Sequence, residues 1–147
     1  MKESMVTLTK IQTLGNSGSY DLAGGSECRN TMHKSLSNAI YPAITPQGPC
    51  NLFKTLMTNE CMHDCQYCEN RQCSASHLTS YAPAELAKTF INLKRLNKVE
   101  GIFLSSGVKR DPDETMNQMI RAVTIIRENY LFKGYVHLKI LPGTNKH

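Results

Sequence analysis

The sequence predicts an α/β fold whose strands run parallel. Three short apolar stretches have the length and composition of strands, and they lie at residues 51–59, 101–107 and 135–141. Each of the two intervening stretches carries apolar residues at helical spacing, so that strands and helices alternate. This alternation is the signature of parallel βαβ units. The composition agrees, because 40% apolar and 20% charged residues in a chain of 147 suit one soluble globular domain.

The first fifty residues contain a helix pattern followed by irregular sequence. Apolar residues recur every third position over residues 4–14, which predicts a short amphipathic helix with a stripe of Met5, Leu8, Ile11 and Leu14. The next stretch, residues 15–26, is too rich in Gly and Ser for regular structure. It is either a flexible linker or a loop whose backbone approaches a ligand. Prolines then predict irregular chain over residues 40–50. We therefore divide the chain into residues 1–50 and residues 51–147.

The first predicted strand and helix follow this irregular part. Residues 51–59 contain four apolar side chains and form the strand that leads into a cluster of cysteines. Pro83 suits the first turn of a helix that continues to about Asn97. Its apolar positions repeat at intervals of three and four residues, and they are Leu86, Ala87, Phe90 and Leu93.

The remaining elements complete the alternation. Residues 101–107 form a short apolar strand that ends in a turn of small residues. Asp111 is the predicted N-cap of the next helix and Pro112 its first residue. The stripe of this helix comprises Met116, Met119, Ile120, Val123 and Ile126. The last strand, residues 135–141, alternates Val136, Leu138 and Ile140 with Tyr135, His137 and Lys139. The polar set is the better candidate for facing an interior site, and the alternative for His137 and Lys139 is a solvent-exposed edge.

Three cysteines at close spacing are the strongest functional signal. Cys61, Cys65 and Cys68 are separated by three and then two residues on the loop that follows the first strand. Thiolates this close in sequence can bind one metal centre. Three ligands leave one corner of a cubane iron–sulfur cluster open, where a substrate or cofactor can bind. The alternative is a zinc site completed by Cys73, with spacings of three, two and four residues.

The cysteine motif, with Tyr67 directly before its last cysteine, resembles the cluster loop of the radical S-adenosylmethionine (SAM) superfamily. The flanking stretches 51–60, 104–107 and 134–143 are similar to one subfamily, described as DNA modification or repair proteins that occur with a uracil-DNA-glycosylase-like partner. The resemblance covers roughly residues 45–143. It implies a 4Fe-4S cluster that reductively cleaves SAM to a 5′-deoxyadenosyl radical. It also implies a TIM-like partial (β/α)6 barrel.

The resemblance assigns roles to individual residues. It makes Cys61, Cys65 and Cys68 the iron ligands and sets Tyr67 beside the SAM adenine. Ser105, Ser106 and Gly107 occupy the position at which the superfamily binds the SAM amino group. This sequence lacks the glutamate usual there, so only the backbone part of that role carries over. His63 and Asp64 lie between the ligands, and we expect His63 to be solvated and not a fourth ligand.

The resemblance also implies what surrounds the chain. The superfamily barrel has about six strands, whereas only about three are predicted in residues 51–147, which form an incomplete barrel. We expect either a truncated chain or a partner that completes the barrel, with poor solubility and incomplete activity of the isolated chain. An electron donor and a nucleic-acid substrate are further implied partners.

Charge and hydropathy limit the possible partners and location. Seventeen Lys and Arg against twelve Asp and Glu give a net charge of +5, which permits contact with nucleic acid without requiring it. No stretch approaches about 18 consecutive apolar residues, and the amino-terminal sequence lacks the apolar core of a signal peptide. We therefore expect a cytoplasmic protein without a membrane partner. Clustered cysteines in such a protein indicate metal binding or redox chemistry.

Overall fold

A four-stranded sheet organises the chain. The computed structural model describes residues 2–18, 37–46, 48–71 and 77–143. A short 3-10 turn at Ser37–Ala39 precedes the first strand, and a π-helical turn at Ile125–Asn129 extends the last helix. In chain order the elements are α1 (Lys2–Gly18), β1 (Ile40–Thr45), β2 (Gly48–Leu56), α2 (Pro83–Arg95), β3 (Gly101–Ser105), α3 (Pro112–Thr124) and β4 (Val136–Leu138).

The sheet confirms the α/β prediction and adds one strand to it. Its order is β1-β2-β3-β4, with β2, β3 and β4 parallel and β1 antiparallel to β2. The prediction of irregular chain over residues 40–50 is wrong, because β1 and the start of β2 form a hairpin there. Pro42 is tolerated because β1 is an edge strand. The boundary drawn after residue 50 falls inside β2.

Helix α1 is longer than its apolar stripe suggests. It extends through Gly18, so residues 15–18 are helical, and residues 19–26 of the predicted irregular stretch lie outside the described residues. Ile11 and Leu14 are buried as predicted, but Leu8 is 44% exposed. At Gly15 a Cβ atom would lie 2.6 Å from that of Ala39, so the close approach of helix and chain requires glycine.

Helix α2 matches its prediction most closely. Leu86, Ala87, Phe90 and Leu93 are all buried. The helix ends at Arg95, and Asn97 follows in the left-handed conformation with φ of 54°. The amide of Asn97 donates to Lys94 O, and that of Lys98 donates to Leu93 O. These two hydrogen bonds form a Schellman motif, which satisfies the last carbonyls of the helix.

Helix α3 begins as predicted. Asp111 is the N-cap, and its side chain accepts a hydrogen bond of 3.1 Å from the Asp113 amide, while Pro112 is the first helical residue. Met116, Met119 and Ile126 are buried, whereas Ile120 is 49% exposed and Val123 is half-buried. The buried stripe is therefore narrower than the sequence pattern indicates.

The two faces of the sheet differ in chemistry. Phe53, Ile102 and Val136 pair in register and pack with the helices in one core. On the opposite face Lys54, Phe103 and His137 pair in register, and the His137 ring stacks on Phe103 with centroids 4.6 Å apart. His137, the member of the polar set that lies within β4, is thus on the face away from the helices.

Strand β4 is shorter than the predicted last strand. Val136 and Leu138 pack against the core, but Ile140 lies beyond the end of β4 and is 76% exposed. The predicted alternation therefore ends with Leu138. Within the part of the chain that the structure describes, each helix lacks the length or the apolar character needed to span a membrane.

Candidate functional site

The cysteine loop, residues 61–71, follows the carboxyl end of β2. Three backbone hydrogen bonds join the chain from Met57 to Met62 to the end of β3 and the segment that follows it. Met57 N–H donates to Ser105 O at 2.8 Å, and Gly107 N–H donates to Thr58 O at 2.8 Å. Met62 N–H then donates to Val108 O at 2.7 Å. The parallel pairing of β2 with β3 is thereby extended, irregularly, up to the first cysteine.

On its other side, the base of the loop pairs with the returning chain. Tyr81 N–H donates to Met57 O at 2.8 Å, and Asn59 N–H donates to Thr79 O at 3.3 Å. Thr58 and Ser80 form an antiparallel bridge between these bonds. Residues 57–60 and 77–81 therefore form a neck from which the loop projects. Beyond the neck, the Asn70 side chain donates to Ser17 O at the end of α1, which tethers the far side of the loop.

Asn59 holds the two sides of the neck together. Its side chain is buried, with the residue 4% exposed. Asn59 Nδ2 donates to His77 O at 2.8 Å, and Asn59 Oδ1 accepts from Thr79 N–H at 2.8 Å. Sequence reasoning missed this residue, because an asparagine after a strand is typical of any turn.

We predict that Asn59→Ala loosens the neck. The substitution leaves the His77 carbonyl without its donor and the Thr79 amide without its acceptor. The free energy of unfolding should fall by about 1–3 kcal/mol, measured by chemical denaturation. Asn38→Ala is the matched control, since the Asn38 amide makes an exposed side-chain hydrogen bond to Asn16. It should change the free energy by less than about 0.5 kcal/mol. Equal effects of the two substitutions would contradict the assigned role of Asn59.

The three predicted ligands lie on this loop as half-buried, free thiols. Cys61 packs against the core, and its Sγ accepts a hydrogen bond of 3.4 Å from the Val108 amide. Cys65 and Cys68 are joined by a turn in which Cys68 N–H donates to Cys65 O at 2.9 Å. The hydrogen bond to Val108 holds the Cys61 sulfur beside the chain that follows β3.

The three thiols are not arranged as a preformed metal site. Across residues 2–18, 37–46, 48–71 and 77–143, no three His, Cys, Asp or Glu side chains lie close enough together to hold a metal ion. The three thiols of the loop are nonetheless suitable ligands for an iron–sulfur cluster or for zinc. Metal binding would therefore draw the loop together, as is common when ligands lie on one short segment. Cys73, the fourth ligand of the zinc alternative, lies outside the described residues.

The predicted SAM-binding turn packs directly against the loop. Ser105 and Gly107 are buried and Ser106 is half-buried. A Cβ atom on Gly107 would lie 2.5 Å from Glu60 O and 3.2 Å from Cys61 Cβ. The structure therefore brings this turn and the first cysteine together. It does not bring Tyr67 to them, since that side chain is 93% exposed.

The other predicted polar residues lie on β4 and its continuation. His137 and Lys139 are exposed, and the Tyr135 hydroxyl lies 3.2 Å from His137 Nδ1. Lys139 continues the pairing beyond the strand, because its amide donates to Leu104 O at 3.0 Å. Both residues therefore adjoin the strand that ends at Ser105.

A groove of about 440 Å³ opens beside the neck. Its walls come from the end of β2, the returning chain and the start of α3, and they include Thr58, Ser80, Lys109, Arg110 and Glu114. Lys109 also forms an ion pair of 2.8 Å with Glu60. The pKa of Tyr81 in this wall is raised, first by burial and second by the nearby Glu85 carboxylate, which keeps its phenol protonated.

No family model, no curated protein and no solved structure matches this chain.

Proposed function

We propose that the chain is a radical SAM enzyme or a part of one, with a 4Fe-4S cluster held by Cys61, Cys65 and Cys68. One observation carries the proposal. The cysteine loop follows the carboxyl end of one parallel strand, and the small-residue turn after the neighbouring parallel strand packs on its first cysteine. Ligands of open α/β sheets bind at the carboxyl ends of the strands.

Each part of this site has a role in the proposal. The Val108 amide positions the Cys61 sulfur, and the neck fixes the start of the loop. Ser105, Ser106 and Gly107 bind the SAM amino group through their backbone, because their small side chains permit close approach. The bound cluster supplies the electron that cleaves SAM to methionine and a 5′-deoxyadenosyl radical. An external electron donor and a reducing, cytoplasmic environment belong to this proposal.

We extend the proposal to the architecture and to Tyr67. The three parallel strands are part of a TIM-like partial barrel whose interior is the face away from the helices. The support is chemical, since that face carries Lys54 and His137 while the other face is an apolar core. Tyr67, exposed on the loop, contacts the SAM adenine when SAM is bound.

The alternative is a non-catalytic module in which Cys73 completes a four-cysteine zinc site and the chain contacts nucleic acid or protein. Separate reconstitution with each metal distinguishes the two functions. The chain is reconstituted anaerobically with iron and sulfide, or with zinc, and its metal and sulfide contents are measured. The proposed function predicts a brown protein with about four irons that Cys73→Ser retains. A colourless protein with one zinc that needs Cys73 would overturn it.

We propose nucleic acid as the substrate class, and the groove beside the neck supports this. Arg110 provides positive charge in its wall, whereas the charge of Lys109 is paired with Glu60. A uracil-DNA-glycosylase-like protein is the corresponding protein partner.

Arg110→Ala tests the groove. If a phosphate lies against Arg110, the substitution should weaken binding of a fluorescent single-stranded oligonucleotide and should reduce the slope of log affinity against log salt by about one. Arg121→Ala is the control, because Arg121 is exposed in α3 and does not line the groove. Equal effects of both substitutions would show only nonspecific charge.

A further inference from the structure

His63 is half-buried on the cysteine loop, between two of the cysteines in sequence. Burial alternates along this stretch: Cys61, His63 and Cys65 are half-buried, whereas Met62 and Asp64 are exposed. His63 is therefore half-buried like the two cysteines that flank it.

The imidazole of His63 has an unsatisfied polar atom. Its Nε2 is buried and has no hydrogen-bond partner in the described part of the chain. The expectation that His63 is solvated is therefore wrong for this nitrogen. A buried polar atom without a partner costs about 1–3 kcal/mol, and such an atom in a folded protein calls for an explanation. Here the atom belongs to a residue that is two positions from Cys61 and two from Cys65 on the cysteine loop.

We propose that His63 Nε2–H donates a hydrogen bond to a sulfur of the bound cluster, either a sulfide or a cysteine thiolate. This inference rests on the proposed function and deepens it. Imidazole donates from the nitrogen that carries its proton, and cluster sulfurs are acceptors. Hydrogen bonds to these sulfurs help to set the reduction potential of a cluster. His63 is thus a positioning and tuning residue rather than a catalytic one.

A hydrogen bond from His63 explains its buried nitrogen better than ligation of iron by His63 does. If His63 bound the fourth iron, it would occupy the position that SAM needs in the proposed function. The hydrogen bond satisfies the buried nitrogen and leaves that iron open. It also stabilises the additional negative charge of the reduced cluster, because a donor interacts more strongly with a more negative acceptor.

Potentiometric titration of the reconstituted chain, followed by electron paramagnetic resonance, tests this role. We compare wild type with His63→Ala, His63→Leu and His63→Gln. His63→Ala and His63→Leu should lower the midpoint potential, and a tenfold change in the ratio of reduced to oxidised cluster corresponds to about 59 mV. His63→Gln should recover part of the shift through its amide N–H. Met62→Ala is the matched control, since Met62 is the neighbouring residue on the loop and is 47% exposed.

The outcomes separate this inference from the proposed function. A cluster with the wild-type potential in all His63 variants would overturn the inference and leave the cluster proposal standing. A SAM response that appears only after His63 is replaced would identify His63 as an iron ligand, which also overturns it. A wild-type chain without any cluster would refute both proposals. Leucine fills the buried space of the imidazole without a donor, so the comparison remains valid if the alanine variant cannot hold its cluster.

Discussion

Replacing any one of Cys61, Cys65 and Cys68 by serine should abolish assembly of the iron–sulfur cluster. Iron should fall from about four per chain to the background level, because three thiolates are the minimum for a cubane with one open iron. A serine hydroxyl is a harder and much less acidic donor, so it does not replace a thiolate. We expect the visible absorption to disappear in each variant.

Cys50→Ser is the matched control for this series. Cys50 is half-buried on β2 near the opposite end of the strand, where it pairs with Ala43. Burial raises the pKa of the Cys50 thiol, and the adjacent Glu100 raises it further, so Cys50 is a poor metal ligand. Iron content and absorption should equal those of wild type. Equal losses for Cys50→Ser and Cys65→Ser would indicate general destabilisation instead of a specific ligand set.

Gly107→Ala should destabilise the fold and disrupt the cysteine loop together. The added methyl group would lie 2.5 Å from the backbone oxygen of Glu60, so one of the two segments must move. Gly107 N–H bonds to Thr58 O, and this bond in the neck would be strained. The free energy of unfolding should fall by about 1–3 kcal/mol, and the yield of reconstituted cluster should fall with it. Denaturation and iron analysis on the same samples test both effects.

Gly18→Ala provides the comparison for Gly107→Ala. Gly18 is also buried, but a Cβ atom there would lie 3.6 Å from the nearest atoms of Thr55, an ordinary contact. Gly18 is the last residue of α1, and alanine is a better helix former, so stability should be unchanged or slightly raised. If Gly107→Ala behaved like Gly18→Ala, the turn would not pack on Cys61 as described.

The helices could be predicted from sequence to the extent that local signals determine them. In α2 all four predicted apolar residues are buried, because a helix presents a continuous stripe to the core. Strand β1 could not be predicted, since Pro42 disfavours a strand except at an edge, and an edge is a property of the whole sheet. The exposure of Ile120 likewise depends on how much of α3 its neighbours cover.

Some features of the candidate site could likewise be predicted from sequence, and others could not. The spacing of the three cysteines and the small turn after β3 are visible in sequence. The Asn59 side-chain bridge, the Val108 amide at Cys61 and the enclosed nitrogen of His63 are not. These features depend on which backbone segments lie next to one another in the fold, and residue types alone do not determine those contacts. The neck connects the cysteine motif, which is visible in sequence, to the sheet.

Electron paramagnetic resonance of the reduced, reconstituted chain with and without SAM tests the central claim most directly. The central claim is that the three cysteines bind a 4Fe-4S cluster with one open iron that SAM occupies. We predict a reduced-cluster signal that shifts when SAM is added and that is unaffected by methionine alone at the same concentration. A cluster whose signal does not respond to SAM, or a chain that binds only zinc, would contradict it.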